Sequence, residues 1–223
     1  MTTVAEVAQP VVARRWTVWA TALLLPVGPL AVAVLRYVLP YDTVDDSSTM
    51  VRKAIAEPGR ASLVLWLGFV AVLTLVPAAY AVGRMTRSRT PRLTAAALVL
   101  LVPGYLSLGW LAASDQLLWL GPEAGLAAGD VIRLYDAAHP TTEIAEVFFV
   151  VGHVVGTILL GVALWRSQVV PRWAAVAVIV SQPIHIVAAV VVPNHTLDLF
   201  GWGLQAAGFA AVGWAMVRGS RLP

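Results

Sequence analysis

Cysteine is absent from the 223-residue chain, which excludes disulfides, thiolate metal ligands and dithiol redox motifs. Charge is scarce too: 12% of residues are charged, where soluble domains carry about a quarter. No phosphate-cradling glycine loop, Asp-rich diphosphate motif or dinucleotide fingerprint occurs, so nothing points to nucleotide-dependent chemistry. An internal repeat of roughly 20–50 residues is missing as well, which argues against a solenoid. The first apolar stretch lacks an A-x-A cleavage pattern and reads as a membrane span, not a removable signal.

What the chain has in abundance is hydrocarbon. Hydrophobic residues make up 59% of it, and the mean hydropathy is +0.81. The apolar residues come in blocks long enough to cross a bilayer, which takes roughly 20 residues of helix. The expected fold class is therefore all-α: a polytopic membrane bundle in a single domain, residues 1–223, with the lipid bilayer as its first partner. Six spans are expected, at about 16–38, 61–83, 93–113, 143–165, 173–192 and 198–217. Pro26 and Pro29 predict a kink in the first. Asp45-Asp46-Ser47-Ser48 predicts a capped short helix at the interface after it. Gly121-Pro122, Gly125 and Gly129 predict that residues 117–142 form two short interfacial pieces, with a lid over a pocket as one role for them.

Basic residues set the orientation. Arg14, Arg15, Arg84, Arg87, Arg89, Arg92, Arg166, Arg172, Arg218 and Arg221 all fall on one side if the amino terminus is inside. Arg36, Arg52, Lys53, Arg60 and Arg133 fall on the other. Positive loops face the cytoplasm, so both termini are expected there, in a multi-pass protein of the cell membrane. The same rule accounts for the formal charge of +3 and the pI near 9.7 without a nucleic-acid partner. Every carboxylate except Glu6, and all four histidines, then lie in outer loops or in the span halves next to them.

Among these polar groups, those inside spans carry the functional signal, because ionisable side chains in hydrocarbon are expensive and mark sites by default. EIAEVFFVVGH sets Glu146 and His153 seven residues apart, on one face of a helix, with Glu143 off that face near the surface. Glu143 also suits a helix start, where a carboxylate complements the dipole. In the next span Ser181 and His185 share a face with Gln182 beside them. In the last, Asp198, Trp202 and Gln205 form a descending polar and aromatic stripe. Short connections make these three spans neighbours, so their polar faces are expected to meet at one pocket. Trp66 and Trp110 are further candidates for lining it, while Trp16, Trp19, Trp119, Trp165, Trp173 and Trp214 fit an interfacial belt. Gly152-x-x-x-Gly156 predicts close helix contact.

Three classes of chemistry want such groups. Acid-initiated cyclisation of a lipophilic small-molecule substrate needs a carboxyl to protonate an alkene, a dry cavity and aromatic faces for the cation. Glu146 or Asp198 would donate the proton, and His153 or His185 would tune the acid or take the final proton. Gln182, Ser181, Gln205, Trp202, Trp110 and Trp66 would bind the substrate, with no cofactor and no metal. In its size, spans, outer-half carboxylates and aromatic content, the whole chain resembles the small integral-membrane terpene cyclases of indole-terpenoid and meroterpenoid pathways. That resemblance implies a cofactor-independent isomerase and assigns no residue. The block GHVVGTILLGVALWRSQVVPRW with SQPIH, residues 152–185, resembles a recurrent stretch of uncharacterised bacterial membrane proteins and implies no activity. A second class is haem b held by His153 and His185. The third is transport or proton relay, which at six spans calls for a homodimer.

Overall fold

The computed structural model describes residues 11–219, with side chains from Arg15 onward. Glu6, the rest of the amino-terminal arm and Arg221 lie outside the described residues. Among the described residues nine α-helices follow one another: α1 (Val11–Leu24), α2 (Val27–Val38), α3 (Ser47–Ala56), α4 (Pro58–Thr86), α5 (Pro91–Glu123), α6 (Ala128–Asp136), α7 (Thr141–Ser167), α8 (Arg172–Ile186) and α9 (His195–Gly219). A π-turn, Val187–Val191, extends α8. No strand occurs among the described residues.

Six stretches among the described residues are long and apolar enough to cross a membrane: Arg15–Val38, Pro58–Thr86, Pro91–Glu123, Thr141–Ser167, Arg172–Val191 and His195–Gly219. The chain is thus an all-helical, multi-pass membrane protein. The first span is broken where predicted. Pro26 has no N–H to give, the helix pauses there, and the Leu30 N–H closes the gap by donating to the Pro26 carbonyl at 3.0 Å.

Residues 117–142 depart from expectation. They do not form two interfacial pieces; α5 runs unbroken through Leu117–Leu120 and Pro122 to Glu123, and only α6 follows. The physical reason is packing. Leu118 is buried, and Gly121 lies so near Val131 of α6 that an added Cβ would stand 2.5 Å from its methyl. A proline in the last turn forfeits one backbone bond, which such burial readily offsets. The helix ends at Glu123, and the chain turns away at Gly125, whose φ of +76° costs a glycine nothing.

The helix ends of the bundle differ in character. At one end α3 and α6 pack together as a cap, with Val51, Ala54 and Val131 buried between them and the bundle. Asp46 starts α3 by accepting the Thr49 N–H at 3.0 Å. At the other end sit Arg84, Arg87, Arg89, Arg92, Arg166, Arg172 and Arg218, with Arg89 donating to the Ser167 carbonyl across the bundle. Midway, α5 and α7 approach at Gly104 and Gly152: a Cβ on Gly152 would lie 2.6 Å from the Leu100 carbonyl oxygen. Only glycine admits two backbones this close.

Candidate functional site

Below the cap the helices part around a cavity of about 390 Å³. Arg36 of α2, Tyr41 and Thr43 of the following loop, Asp115 of α5, Tyr135 of α6, Glu146 and Phe149 of α7, His185 of α8 and Trp202 of α9 all contribute to its wall.

Its centre is an ion-paired histidine. Asp198 lies in the first turn of α9, yet its carboxylate does not cap the helix; Asn194 does that by accepting the Leu197 N–H at 2.9 Å. Asp198 instead accepts from Arg36 Nε at 2.6 Å through one oxygen and lies 2.6 Å from His185 Nδ1 through the other. A carboxylate already bound to a guanidinium acts as acceptor, so His185 Nδ1–H is the donor. Trp202 Nε1 stands 3.1 Å from the same nitrogen, but a nitrogen that donates has no lone pair left to accept with. The charge-assisted bond wins. His185 Nε2 is left with its lone pair and no hydrogen-bond partner among the described residues, in a side chain that lines the cavity.

His153 joins this group from α7 without reaching the cavity wall. Its ring centroid is 5.3 Å from that of His185 and 5.5 Å from that of Trp202. Its Nδ1 donates to the Phe149 carbonyl one turn back at 2.5 Å, and its buried Nε2 has no partner among the described residues. Gln182 and Gln205 pair deeper in the bundle, Nε2 to Oε1 at 2.8 Å. Gln205 then donates to the Tyr105 hydroxyl at 2.9 Å, which is 3.3 Å from Thr157. Ser181 donates to the Val178 carbonyl of its own helix at 2.8 Å. The last three spans and α5 therefore share one continuous polar seam in the interior.

Two expected wall residues are elsewhere. Trp66 is 68% exposed and Trp110 52%, and both face away from the bundle. Trp110 reaches sideways to Thr142, 3.4 Å from its indole nitrogen. A large apolar ring costs nothing against lipid, so the aromatic count of a span says little about which way each ring points.

The cavity also holds groups that inspection of the last three spans misses: Arg36, Asp115, Tyr41 and Tyr135. Tyr41 donates to Asp115 across 74 residues of chain. Burial first, and then the neighbouring Asp115 carboxyl, push the Tyr41 phenol well above its ordinary range, so it remains a donor. Tyr135 is pushed up for the same two reasons. Arg36 and Asp115 did carry a signal, since each is an ionisable residue near the end of an apolar span. Glu146 lines the cavity with no ion pair or hydrogen bond among the described residues.

The two histidines do not fit a haem. Their hydrogen-bonded Nδ1 and free Nε2 atoms are what a ligating imidazole shows, but a macrocycle must pass between axial ligands. Here His153 is fully buried outside the cavity, and Trp202 packs against both rings. No cluster of three or more metal-ligating side chains occurs among the described residues.

The fold and cavity define a class: a multi-pass helical membrane protein with a polar, aromatic chamber under a helical cap. The chain belongs to the family described as a domain of unknown function, DUF4386, whose model matches residues 20–219. No curated protein and no solved structure matches it.

Proposed function

We propose that this protein is a membrane-embedded acid–base enzyme that isomerises a lipophilic prenylated substrate by cyclisation inside the cavity. One observation carries the reading: an Asp-oriented histidine, His185, shares a chamber wall with Glu146, a carboxyl that nothing else occupies. Such a pair supplies an acid and a base without a cofactor.

In this mechanism Glu146 donates a proton to an alkene carbon, the π bond breaks and a C–H bond forms. A second alkene attacks the resulting cation and closes a carbon–carbon bond. His185 Nε2 then takes a proton from the carbon next to the cyclic cation, which restores an alkene. Return of that proton to Glu146 leaves substrate and product with the same formula. Trp202, Phe149 and Tyr135 line the cavity where faces toward a cation would help. Asp198 is not a proton donor in this scheme, because Arg36 and His185 hold both its oxygens; it orients His185. Ser181, Gln182, Gln205 and His153 support the wall from behind, and Trp66 and Trp110 have no part in binding. The resemblance to membrane terpene cyclases enters only as this proposal. The cell membrane is its proposed location, with the cap outward on the positive-inside pattern.

The test is conversion. Membranes holding the protein are incubated with prenylated indole or prenylated aromatic substrates, and a product of unchanged mass is sought. Glu146→Gln is expected to abolish conversion at unchanged expression, and His185→Ala to lower it by about 10²-fold or more. Full activity in Glu146→Gln would refute the assignment of the donor.

A proton relay is the second reading, favoured by the hydrogen-bonded chain Gln182–Gln205–Tyr105–Thr157. It would act in a homodimer if it served transport. Proton flux into liposomes that is lost in Gln205→Leu would support it over the enzyme.

A further inference from the structure

The cavity is closed and open on particular sides. Toward water it is roofed by the cap: Tyr41, Thr43, Val44, Met50 and Tyr135 all line it from above. The roof is tied down. Thr43 donates to the Ala189 carbonyl at 2.6 Å, Asp42 lies 3.1 Å from His195 Nε2, and Lys53 bridges Asp42 and Asp45 at 3.0 and 2.7 Å.

Toward lipid the closure fails between α7 and the π-turn. Toward the arginine end α7 and α8 are in tight contact, where a Cβ on Gly161 would lie 3.0 Å from Ile179 N. At the cap end, Glu146 and Val150 of α7 and Ala189 and Val190 of the π-turn all line the cavity, but the two elements do not pack against each other. The π-turn widens the backbone there: Val192 N–H donates five residues back to Val187 and Asn194 N–H six back to Ala188. Val150 and Val190 line the cavity while 38% and 55% exposed, so both belong to an apolar mouth that faces hydrocarbon.

Charge inside restricts what can enter. Arg36 is the one cation lining the cavity among the described residues, and Asp198 already holds it. Asp115 and Glu146 add two carboxyl groups with no cation of their own. A phosphate or carboxylate head would find no free cation there and would meet the Asp115 carboxylate, which accepts from Tyr41, in a poorly screened space.

We infer that the cavity is loaded sideways from the bilayer, through the gap between α7 and the π-turn, by a single-chain amphiphile with an uncharged polar head. The head lies against Arg36, Asp115 and His185, and the chain trails past Val150 and Val190 into lipid. This names the substrate class for the chamber proposed above, but it concerns binding alone and stands or falls without turnover.

The experiment is photolabelling of the full-length protein in phosphatidylcholine liposomes with a diazirine-bearing farnesol, followed by mass spectrometry of adducts. Adducts are expected on α7 and the π-turn around Val150 and Val190, and on Phe149 and Trp202 within. Excess farnesol should compete and excess farnesyl phosphate should not. A bulky ring in the mouth, Val190→Trp or Val150→Trp, should lower labelling of Trp202 by about fivefold or more through steric exclusion. Val99→Trp, on an exposed site away from the cavity, should leave it unchanged. Two results overturn the inference: equal competition by farnesyl phosphate, or undiminished labelling of Trp202 in both mouth variants with adducts concentrated on the cap residues Val44 and Met50. If Glu146→Gln labels normally but converts nothing, entry and chemistry both stand. If wild type labels as expected yet converts no prenylated substrate, the enzyme reading alone fails.

Discussion

The arginine end and the cap end of this bundle are built from the same six spans and behave as opposites. Toward the arginine end, Leu160, Leu164, Ala174, Ala175, Phe209 and Val212 are completely buried, and Gly161, Gly208 and Gly213 let helices touch backbone to backbone. Buried side-chain hydroxyls there bond within a few residues, as Thr86 does with Thr94 at 2.8 Å, while Arg89 reaches the Ser167 carbonyl at the rim. Toward the cap end α7 and the π-turn do not pack against each other, polar side chains line the cavity, and partners come from distant parts of the chain. Gly161 brings α7 and α8 together, and the cavity opens where α7 and the π-turn are out of contact.

Breaking the cap end should cost the most. Arg36→Ala leaves Asp198 buried without its cation, and such a loss is expected to destabilise the fold by about 3–5 kcal/mol. Thermal unfolding in mild detergent measures it, and a change below about 1 kcal/mol would mean that water enters and screens the pair. Arg36→Ala with Asp198→Asn should recover part of the loss, since no lone charge remains.

The arginine end should yield next. Gly208→Ala sets a Cβ 2.4 Å from a Val178 methyl and 2.8 Å from the Ala174 carbonyl oxygen, at an expected cost of about 1–3 kcal/mol. Gly68→Ala beside the cavity is the matched control: the nearest atom to its new Cβ is Leu35 Cδ1 at 3.7 Å, ordinary contact, so stability should hold. If both substitutions behaved alike, the contrast between the two ends would be wrong.

The smallest effect concerns the roof. Hydrogen bonds from Ser48 and Thr49 hold the Asp46 carboxyl at about 2, against an ordinary 3.8. Burial works the other way on Asp42, but Lys53 and His195 outweigh it and leave that carboxyl lowered as well. A carboxyl whose pKa falls on folding adds stability in full above its unfolded value and loses it as pH drops through the folded one. The start of α3 should therefore fray between pH 3.8 and about 2 while the spans persist. Amide exchange at Thr49 reports this; protection unchanged at pH 2 would show that the cap holds without its carboxylate.

Much of this organisation was legible in the linear chain. The six crossings, the kink at Pro26 and the capped helix at Asp46 all follow from local rules, because hydrocarbon length and missing N–H groups act within a few residues. Short connections between the last three spans led to the expectation that their polar faces meet, and the rings of His153, His185 and Trp202 lie 5.3 to 5.5 Å apart. Rotation about a helix axis was harder. Trp66 and Trp110 were indistinguishable from Trp202 by composition, since lipid and protein interior both accept an indole. The continuation of α5 past Gly121-Pro122 was hidden too, because the cost of a proline is local while the burial that offsets it comes from α6.

The sequence by itself determined that this chain crosses a membrane six times, with nearly all its carboxylates and its histidines toward one end and most of its arginines toward the other, because the preference of a side chain for hydrocarbon is a property of each segment alone. Only the tertiary structure decided that Asp198 answers to Arg36, 162 residues away, that Tyr41 meets Asp115, and that Glu146 has no ion pair or hydrogen bond among the described residues. Pairings of that kind depend on how rigid helices tilt and turn against one another, and that information resides in no single segment.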